Sequence, residues 1–573
     1  MIKNFNKELL KDIFQQISSE KNIYANDTMA DFFVKYHYDN LEILKKDIDN
    51  LIAFLLENKR IIKIGDAFFT SEAYHNNADK ELFVYCNQEL IGFLGFNANV
   101  GYTFAYDTEY VLEKSSSPIL LPLSFKIYEN KYGFIDFFEN IPEGIDKNIL
   151  ENKIVDSGVE AITYFDLLAQ NTYSKNQIMF LKNKIQTKKQ DLVKYENIKD
   201  EILGKNSFPN ILKLDINIDD NNLFPNIANY SELKTIRNFS ISGFQHKLAI
   251  IIDNNEIRLP KIGKNNILLE EPVYFIKPYN KYKIKHGMEH MAINEHLHLT
   301  FAKNELGFDV PYSGICKREK DIEFHYIVKF FDRIEQYHFP KNEIATYLNL
   351  NADNKYKTSS EKMFKKFNEI LANKNEKLRV LEYYFYSFLI KHEDMHTKNI
   401  SVFNRQNKCF VAPLYDVCTT GIYNMFLGLD SHLTINGKQK NIRFKDFLEL
   451  AKRLELNETQ ILEPFRNIAQ KYIDEMPKYF LAIKEKIGDL EMKIYSNSRM
   501  LIDSNVFDSR IGAKRTCRKS TLESELFKNY FSRLKMLRAY GWEEKLKLEN
   551  ISINLKNTDL ANNPKIKNIK DKK

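Results

Sequence analysis

Cysteine is scarce in this chain of 573 residues, and the five present, Cys86, Cys316, Cys409, Cys418 and Cys517, form no C-x-x-C pair. Neither a disulfide framework nor a thiolate metal site is signalled, and a reducing cytoplasm is the expected setting. Long apolar runs are missing too: nothing approaches the roughly 20 residues that span a bilayer. The first residues, Met1-Ile2-Lys3-Asn4-Phe5-Asn6, lead straight into a polar amphipathic pattern with no apolar signal core. Neither export nor membrane insertion is expected. Charge of one sign is scarce outside the tail, where Arg510 to Lys573 hold 17 Lys/Arg against 7 Asp/Glu, a local +10 within a chain total of +7. What is plentiful is core material. With 43% apolar residues, including 42 Phe and 32 Tyr, the chain has enough for three or four globular domains.

Residues 4 to 20 read as a helix and Asp27 as the N-cap of a short second one, while Leu41, Leu44, Ile48, Leu51, Ile52 and Leu55 stripe a third. Arg60 to Ile64, a Gly65-Asp66 turn and Ala67 to Thr70 read as a hairpin. Three helices and a hairpin suggest a winged-helix-like domain over 1–78, either a DNA-binding module or a small protein-contact domain. Glu42, Asp47 and Asp49 beside Lys45 and Lys46 make a poor footprint for phosphates. From Leu82 the pattern alternates, giving an α+β module over 80–172 with no legible chemistry. Residues 173–235 read as a linker and helical segment, Lys-rich at 174–203 and with an acidic loop from Asp215 to Asn222.

The stretch Ser240-Ile241-Ser242-Gly243-Phe244-Gln245-His246-Lys247 then precedes a strand at 248–252, a strand at 273–278 that carries Lys277, a helix near 289–306 and another strand near 322–331. A phosphate-covering turn, a strand lysine and one buried helix are the parts of a kinase N-lobe, here 236–343, although this turn has one Gly where a kinase glycine-rich loop has three. A C-lobe over 344–495 would follow, in which Leu378, Leu381, Phe385, Phe388 and Leu389 stripe a helix leading to His392. A basic helical extension and tail, 496–573, completes the chain.

His392-Glu393-Asp394-Met395-His396-Thr397-Lys398-Asn399, followed by Leu414-Tyr415-Asp416, allows three readings. H-E-x-x-H is a zinc protease motif, but it needs both His one turn apart on a continuing helix, and the residues from Asn399 to Phe403 are strand-like. H-x-D-x-x-x-x-N with a later Asp is the spacing by which kinases place a base and two magnesium ligands, and a hairpin returning to one end of a lobe would bring Asp394, Asn399 and Asp416 together. In the bland reading Asp394 caps a turn and Asp416 starts one.

The segment Asp394 to Ser401 resembles the D-G-H-x-K-N-x-S signature of HipA-type serine/threonine kinases, the toxins of HipBA toxin–antitoxin systems. Ser240 to Lys247 is similar to their S-I-x-G-x-Q-x-K loop, Phe275-Ile276-Lys277 to their I-x-K strand, Asn294-Glu295 to the helix after it, Phe331-Asp332-Arg333 to F-D-R, and Tyr415-Asp416 to Y-D. Residues 82–172 resemble their N-terminal subdomain. The likeness covers roughly 80–490 with the motifs in order. Met395 replaces the usual Gly, Phe330 stands where a basic residue usually precedes F-D-R, and the segments at both ends lie outside the shared pattern.

The resemblance implies an α+β, two-lobed, protein-kinase-like fold that transfers the ATP γ-phosphate to a protein Ser or Thr with Mg2+. It makes Asp394 the base and Lys398 a group that steadies the moving phosphoryl. It makes Asn399 and Asp416 the magnesium ligands, and gives Lys277, Ser242, Gly243, Gln245 and Lys247 to ATP. Ser240 and Ser242 fall on loop serines that such kinases autophosphorylate. Added charge there would eject a loop that lies over ATP. Family substrates are translation components, notably aminoacyl-tRNA synthetases, and the expected partners are a HipB-like antitoxin and, through the N-terminal domain, DNA. The basic extension could hold nucleic acid or an antitoxin, or be a solvated helix and frayed terminus. A non-catalytic regulator that keeps the fold to sense nucleotide is the alternative, against which the full set Lys277, Asp394, Asn399 and Asp416 argues.

Overall fold

A computed structural model describes residues 6–71, 78–138, 141–170, 178–185, 195–225, 245–261, 269–279, 281, 288–334, 337–339, 341–405, 408–423, 426, 428–495 and 517–556. The chain divides into two units, residues 1–141 with 154–191, and residues 142–153 with 192–573.

In the first unit the helices Lys7–Ser18, Asn26–Lys35 and Leu41–Glu57 precede the hairpin Ile61–Ile64 and Ala67–Thr70. Asn6 and Asn40 cap the first and third helices through their side-chain oxygens, and Leu44, Ile48, Leu51, Ile52 and Leu55 form the buried stripe, whereas Leu41 is exposed. Asp27 is not the cap of the second helix. Ala25 holds that position and Asp27 sits in the first turn, where its charge faces the positive helix end. A five-stranded sheet follows, ordered 128–130, 101–106, 89–97, 80–86 and 178–181. Its last strand, Ile178–Leu181, lies in the stretch read as a solvated linker; four apolar residues among lysines suffice to pair antiparallel with 83–86. Arg60, fully buried at the hairpin's start, donates to the carbonyls of Tyr106 at 2.6 Å and Phe125 at 2.8 Å. Arg60 thus ties the helices and hairpin to the sheet within the first unit.

In the second unit a six-stranded sheet runs 313–316, 325–329, 274–277, 248–253, 256–258, 215–217. Pairing is antiparallel except for the last, where 256–258 meets 215–217 in parallel. Residues 215–217, read from sequence as part of an acidic loop, are thus an edge strand, and the short helix Asp220–Leu223 is capped by Asp219. Alternation along Tyr274–Lys277 sends Ile276 into the apolar core on one face and Lys277 to the other, where it meets the helix Met291–Asn304.

The second half of this unit is organised by the helix Lys374–Leu389. Asn373 caps it, and Val380, Leu381, Tyr384, Phe385, Phe388 and Leu389 are buried among the helices Phe444–Arg453 and Glu458–Lys486. Lys391, at φ +62°, turns the chain out of the helix toward His392. The strands Ser401–Arg405 and Lys408–Val411 form the expected hairpin, with Lys341–Glu343 as a third strand.

The C-terminal extension is not a solvated helix. Leu522, Leu526, Phe527, Tyr530, Leu534 and Leu537 of the helix Leu522–Ala539 belong to the same core, and the buried Trp542 donates its indole N–H to the Ile442 carbonyl at 2.9 Å. Lys514 to Thr516 fall outside the described residues. No helix among the described residues is long and apolar enough to cross a membrane.

Candidate active site

Local sequence dictates how the central segment is displayed. Because Lys391 ends the helix, residues 392–400 adopt turns, and His392 and Glu393 at their start are tied to the chain that follows Asp416. His392 Nδ1 lies 2.8 Å from the Cys418 carbonyl, the Glu393 N–H donates to Thr420 Oγ1 at 2.9 Å, and Glu393 Oε2 accepts the Leu429 N–H at 2.9 Å. The loop of Asp394 and the loop of Asp416 are laced into one surface. Two residues of the C-terminal helix close it from behind. Arg533 donates to the carbonyls of Phe388 at 2.7 Å and Leu389 at 3.1 Å and to Asp430 at 2.5 Å, while Asn529 Nδ2 donates to the Ile390 carbonyl at 3.2 Å and Thr419 Oγ1 at 2.9 Å.

This arrangement rules out the zinc geometry. His392 and His396 share no helix, and among the described residues no three His, Cys, Asp or Glu side chains cluster as a metal-binding group. Burial pushes His396 down to about 4, and His392 is also lowered by burial.

The sequence-predicted residues gather in two neighbouring sets. In the first, Lys277 Nζ donates to Glu295 at 2.6 and 2.9 Å and to Asp416 Oδ1 at 2.5 Å. Burial opposes the lysine's charge, but the two carboxylates outweigh it and hold Lys277 above its ordinary value, while Lys277 keeps Asp416 far below the carboxylate range. Glu295 is raised by burial in spite of Lys277. Lys247 lies within the same field; burial lowers it to about 8 against the pull of Asp416. Gln245 donates to the Pro278 carbonyl at 3.1 Å, fastening the start of this strand beside the Lys277 strand.

In the second set, the side-chain amide of Asn399 donates to the Asp394 carbonyl at 3.0 Å, and Asp394 Oδ1 accepts a short hydrogen bond from the Tyr356 hydroxyl. The bonds from His392 to the Cys418 carbonyl and from the Glu393 N–H to Thr420 tie the loop of Asp394 to the chain just past Asp416, so the sets are neighbours. A carboxylate on Asp416 and an amide oxygen on Asn399 are hard donors of the kind Mg2+ takes, with the rest of its shell left to phosphate and water, so the residues present fit that ion.

Lys398 points elsewhere. Its ammonium lies 2.6 Å from Glu343 and 3.2 Å from Glu143, both buried. Ser240, Ser242 and Gly243 fall outside the described residues. Glu295, Tyr356 and the Arg533 clamp were not picked out as site residues from sequence. Glu295 belongs to the quoted Asn294-Glu295 motif but was given no role, and the strand-Lys to helix-Glu pairing of kinases is the signal that would have assigned it. Tyr356 lies 38 residues from its partner in a region of turns, and nothing local marks it.

Residues 239–477 match the family described as HipA-like C-terminal domain. Over those residues the chain is similar to HipA-like C-terminal domains. The HipA-like likeness extends beyond the matched segment in fold. The HipA chain of a Shewanella oneidensis MR-1 toxin–antitoxin complex of HipA, HipB and operator DNA is similar over 82% of this chain and 100% of its own, at 16% identity and a TM-score of 0.54. A Helicobacter pylori proinflammatory kinase, CtkA, overlaps 42% of this chain and 93% of its own at 16% identity, with a TM-score of 0.25 too low to bear on the argument. The architecture is therefore α+β and HipA-like, and the helix Leu522–Ala539 lies beyond the matched segment.

Proposed function

We propose that this chain is a magnesium-dependent serine/threonine protein kinase and the toxin component of a HipBA-like system. The observation that carries the reading is the pairing of Lys277 with both Glu295 and Asp416, next to Asp394 and Asn399 on an adjoining loop. A buried ammonium positioned by one carboxylate and able to exchange the other for phosphate is what a nucleotide site requires. Lys277 orients the phosphates, and the cationic field of Lys247 assists it. Asp416 and Asn399 supply oxygens to magnesium, which when bound offsets the charge that develops on the phosphates. Asp394 orients the acceptor hydroxyl and receives its proton. Lys398 acts at one remove, fixing the Glu343 strand against the loop of Asp394 and Asn399. The substrate is a protein Ser or Thr, with an aminoacyl-tRNA synthetase the family expectation, and phosphate on Ser240 or Ser242 switches the enzyme off.

That the HipA neighbour was crystallised with HipB and operator DNA supports a HipB-like antitoxin and DNA as partners. The N-terminal helices and hairpin, winged-helix-like in element order, offer a DNA or antitoxin contact. Purified full-length protein that fails to shift its own promoter DNA, alone or with neighbouring gene products, would remove the DNA part.

The decisive experiment is incubation with magnesium and labelled ATP, comparing wild type with Asp394→Asn and Asp416→Asn, followed by mass spectrometry of the Ser240 to Lys247 peptide. Phosphate on Ser240 or Ser242 in wild type alone is expected, and its loss with EDTA. Binding of ATP with no transfer to itself or to a lysate favours the non-catalytic regulator instead.

A further inference from the structure

The candidate base is already engaged. Tyr356 Oη donates to Asp394 Oδ1 in the way an acceptor hydroxyl does before transfer, and this is a charge-assisted bond, about twice as strong as a neutral one. The ring supplying that hydroxyl is wedged between His396, at 5.0 Å and near-perpendicular, and His432, at 4.1 Å. The tyrosine stands on a stretch of turns between Asn349 and Ser359, with no helix or strand to dictate its direction. Its neighbours are nonetheless fastened. Thr397 Oγ1 donates to the Lys355 carbonyl at 2.9 Å, the Lys355 ammonium lies 3.7 Å from Glu143, and Ser359 caps the helix Ser360–Ile370. The backbone is held on both sides, and the side chain between them is half-buried.

We infer that the Asp394–Tyr356 pair, walled by His396 and His432, is the acceptor-hydroxyl subsite, and that Tyr356 occupies it at rest as a resident phenol that an incoming protein hydroxyl must displace. This rests on the reading of Asp394 as the base. In the transfer itself, the bond between the γ-phosphorus and the β,γ-bridging oxygen breaks, a bond from phosphorus to the acceptor oxygen forms, the hydroxyl proton passes to Asp394, and ADP leaves. While Tyr356 holds the carboxylate, water is kept from the same position, so the resting enzyme is guarded against wasteful hydrolysis of ATP.

The test needs no identified substrate, because water serves as the acceptor. Release of inorganic phosphate from ATP and magnesium is measured for the full-length wild type, Tyr356→Phe, Asp394→Asn and the double variant. Phenylalanine keeps the ring between the two histidines and removes only the hydroxyl, so thermal unfolding is expected to stay close to wild type. Tyr356→Leu serves if Phe proves unstable. The expected result is a rise in hydrolysis of about tenfold in Tyr356→Phe, the scale of releasing one hydrogen bond to a charged group, with KM for ATP within twofold and the gain abolished by Asp394→Asn. Phosphate found on Tyr356 of the wild type would support the same placement. An unchanged or lower rate in Tyr356→Phe, while Asp394→Asn is inactive, overturns the inference and leaves the kinase reading intact. Full phosphate transfer by Asp394→Asn would instead overturn that reading.

Discussion

Two buried lysines in one unit each sit between two carboxylates, and their surroundings separate them. Lys398 is closed in: its own side chain is 5% exposed, and those of Glu343 and Glu143 are 4% and 7%. Lys277 is as buried, at 3%, yet Asp416 beside it is 33% exposed. The Lys398 triad is sealed from solvent, whereas the Lys277 triad has one carboxylate, Asp416, partly open to it. Both lysines lie in motifs of the resemblance, and residue type alone would give both to phosphate chemistry. The exposure of the partner, more than the identity of the lysine, separates the two.

The largest effect should come from Lys398→Met, which removes the ammonium 2.6 Å from the buried Glu343 and 3.2 Å from the buried Glu143, while Glu143 keeps Lys355 at 3.7 Å. About 3–5 kcal/mol of stability should be lost, read as a lower urea midpoint, and Lys398→Met with Glu343→Gln should recover part of it. A Lys398→Met protein that unfolds like wild type and loses only turnover would break the comparison. Lys277→Met should act the other way. Glu295, already raised by burial, can take a proton and Asp416 can turn to water, so stability falls less. Loss of the phosphate clamp should cut kcat by about 10²–10³, measured by labelled phosphate transfer.

A smaller effect is expected at Arg533. Arg533→Lys keeps the charge toward Asp430 but loses the fork that reaches two carbonyls, so kcat should fall several-fold with KM for ATP unchanged, and Arg533→Ala should fall further. If both variants move ATP affinity instead, the clamp acts on the Lys277 side of the site. The smallest effect concerns pH. Lys247 is lowered to about 8. The unfolded chain holds that proton more tightly, so between about pH 8 and the ordinary lysine value this group makes stability rise with pH. ATP affinity should decline over the same interval as the ammonium is lost. Lys247→Arg, which stays charged, should flatten that decline in a binding titration.

Much of this was legible in local pattern. Lys277, Asp394, Asn399 and Asp416 lie at spacings that a strand, a turn and a hairpin translate directly into proximity. The apolar stripes of Leu41–Glu57 and Lys374–Leu389 were equally plain, because one face of each helix meets a core. What escaped was non-local. The strand Ile178–Leu181 is four residues among lysines, and only its partner strand reveals it. In Leu522–Ala539 charged residues mask the periodicity, since Glu525 and Arg533 are themselves buried with partners and do not mark a solvent face. Tyr356 meets Asp394 across a fold, which no spacing encodes.

The clamp from the C-terminal helix has a bearing on timing. Asn529 is made 139 residues after the Ile390 carbonyl it holds, and Arg533 comes 144 after Leu389. At roughly 5–20 residues per second of synthesis, the loop of Asp394 waits on the order of 10–30 seconds on the ribosome before its rear support exists. A nascent chain should therefore stay inactive until that helix emerges and docks, and chains stalled near residue 500 should transfer no labelled phosphate while released full-length chains do.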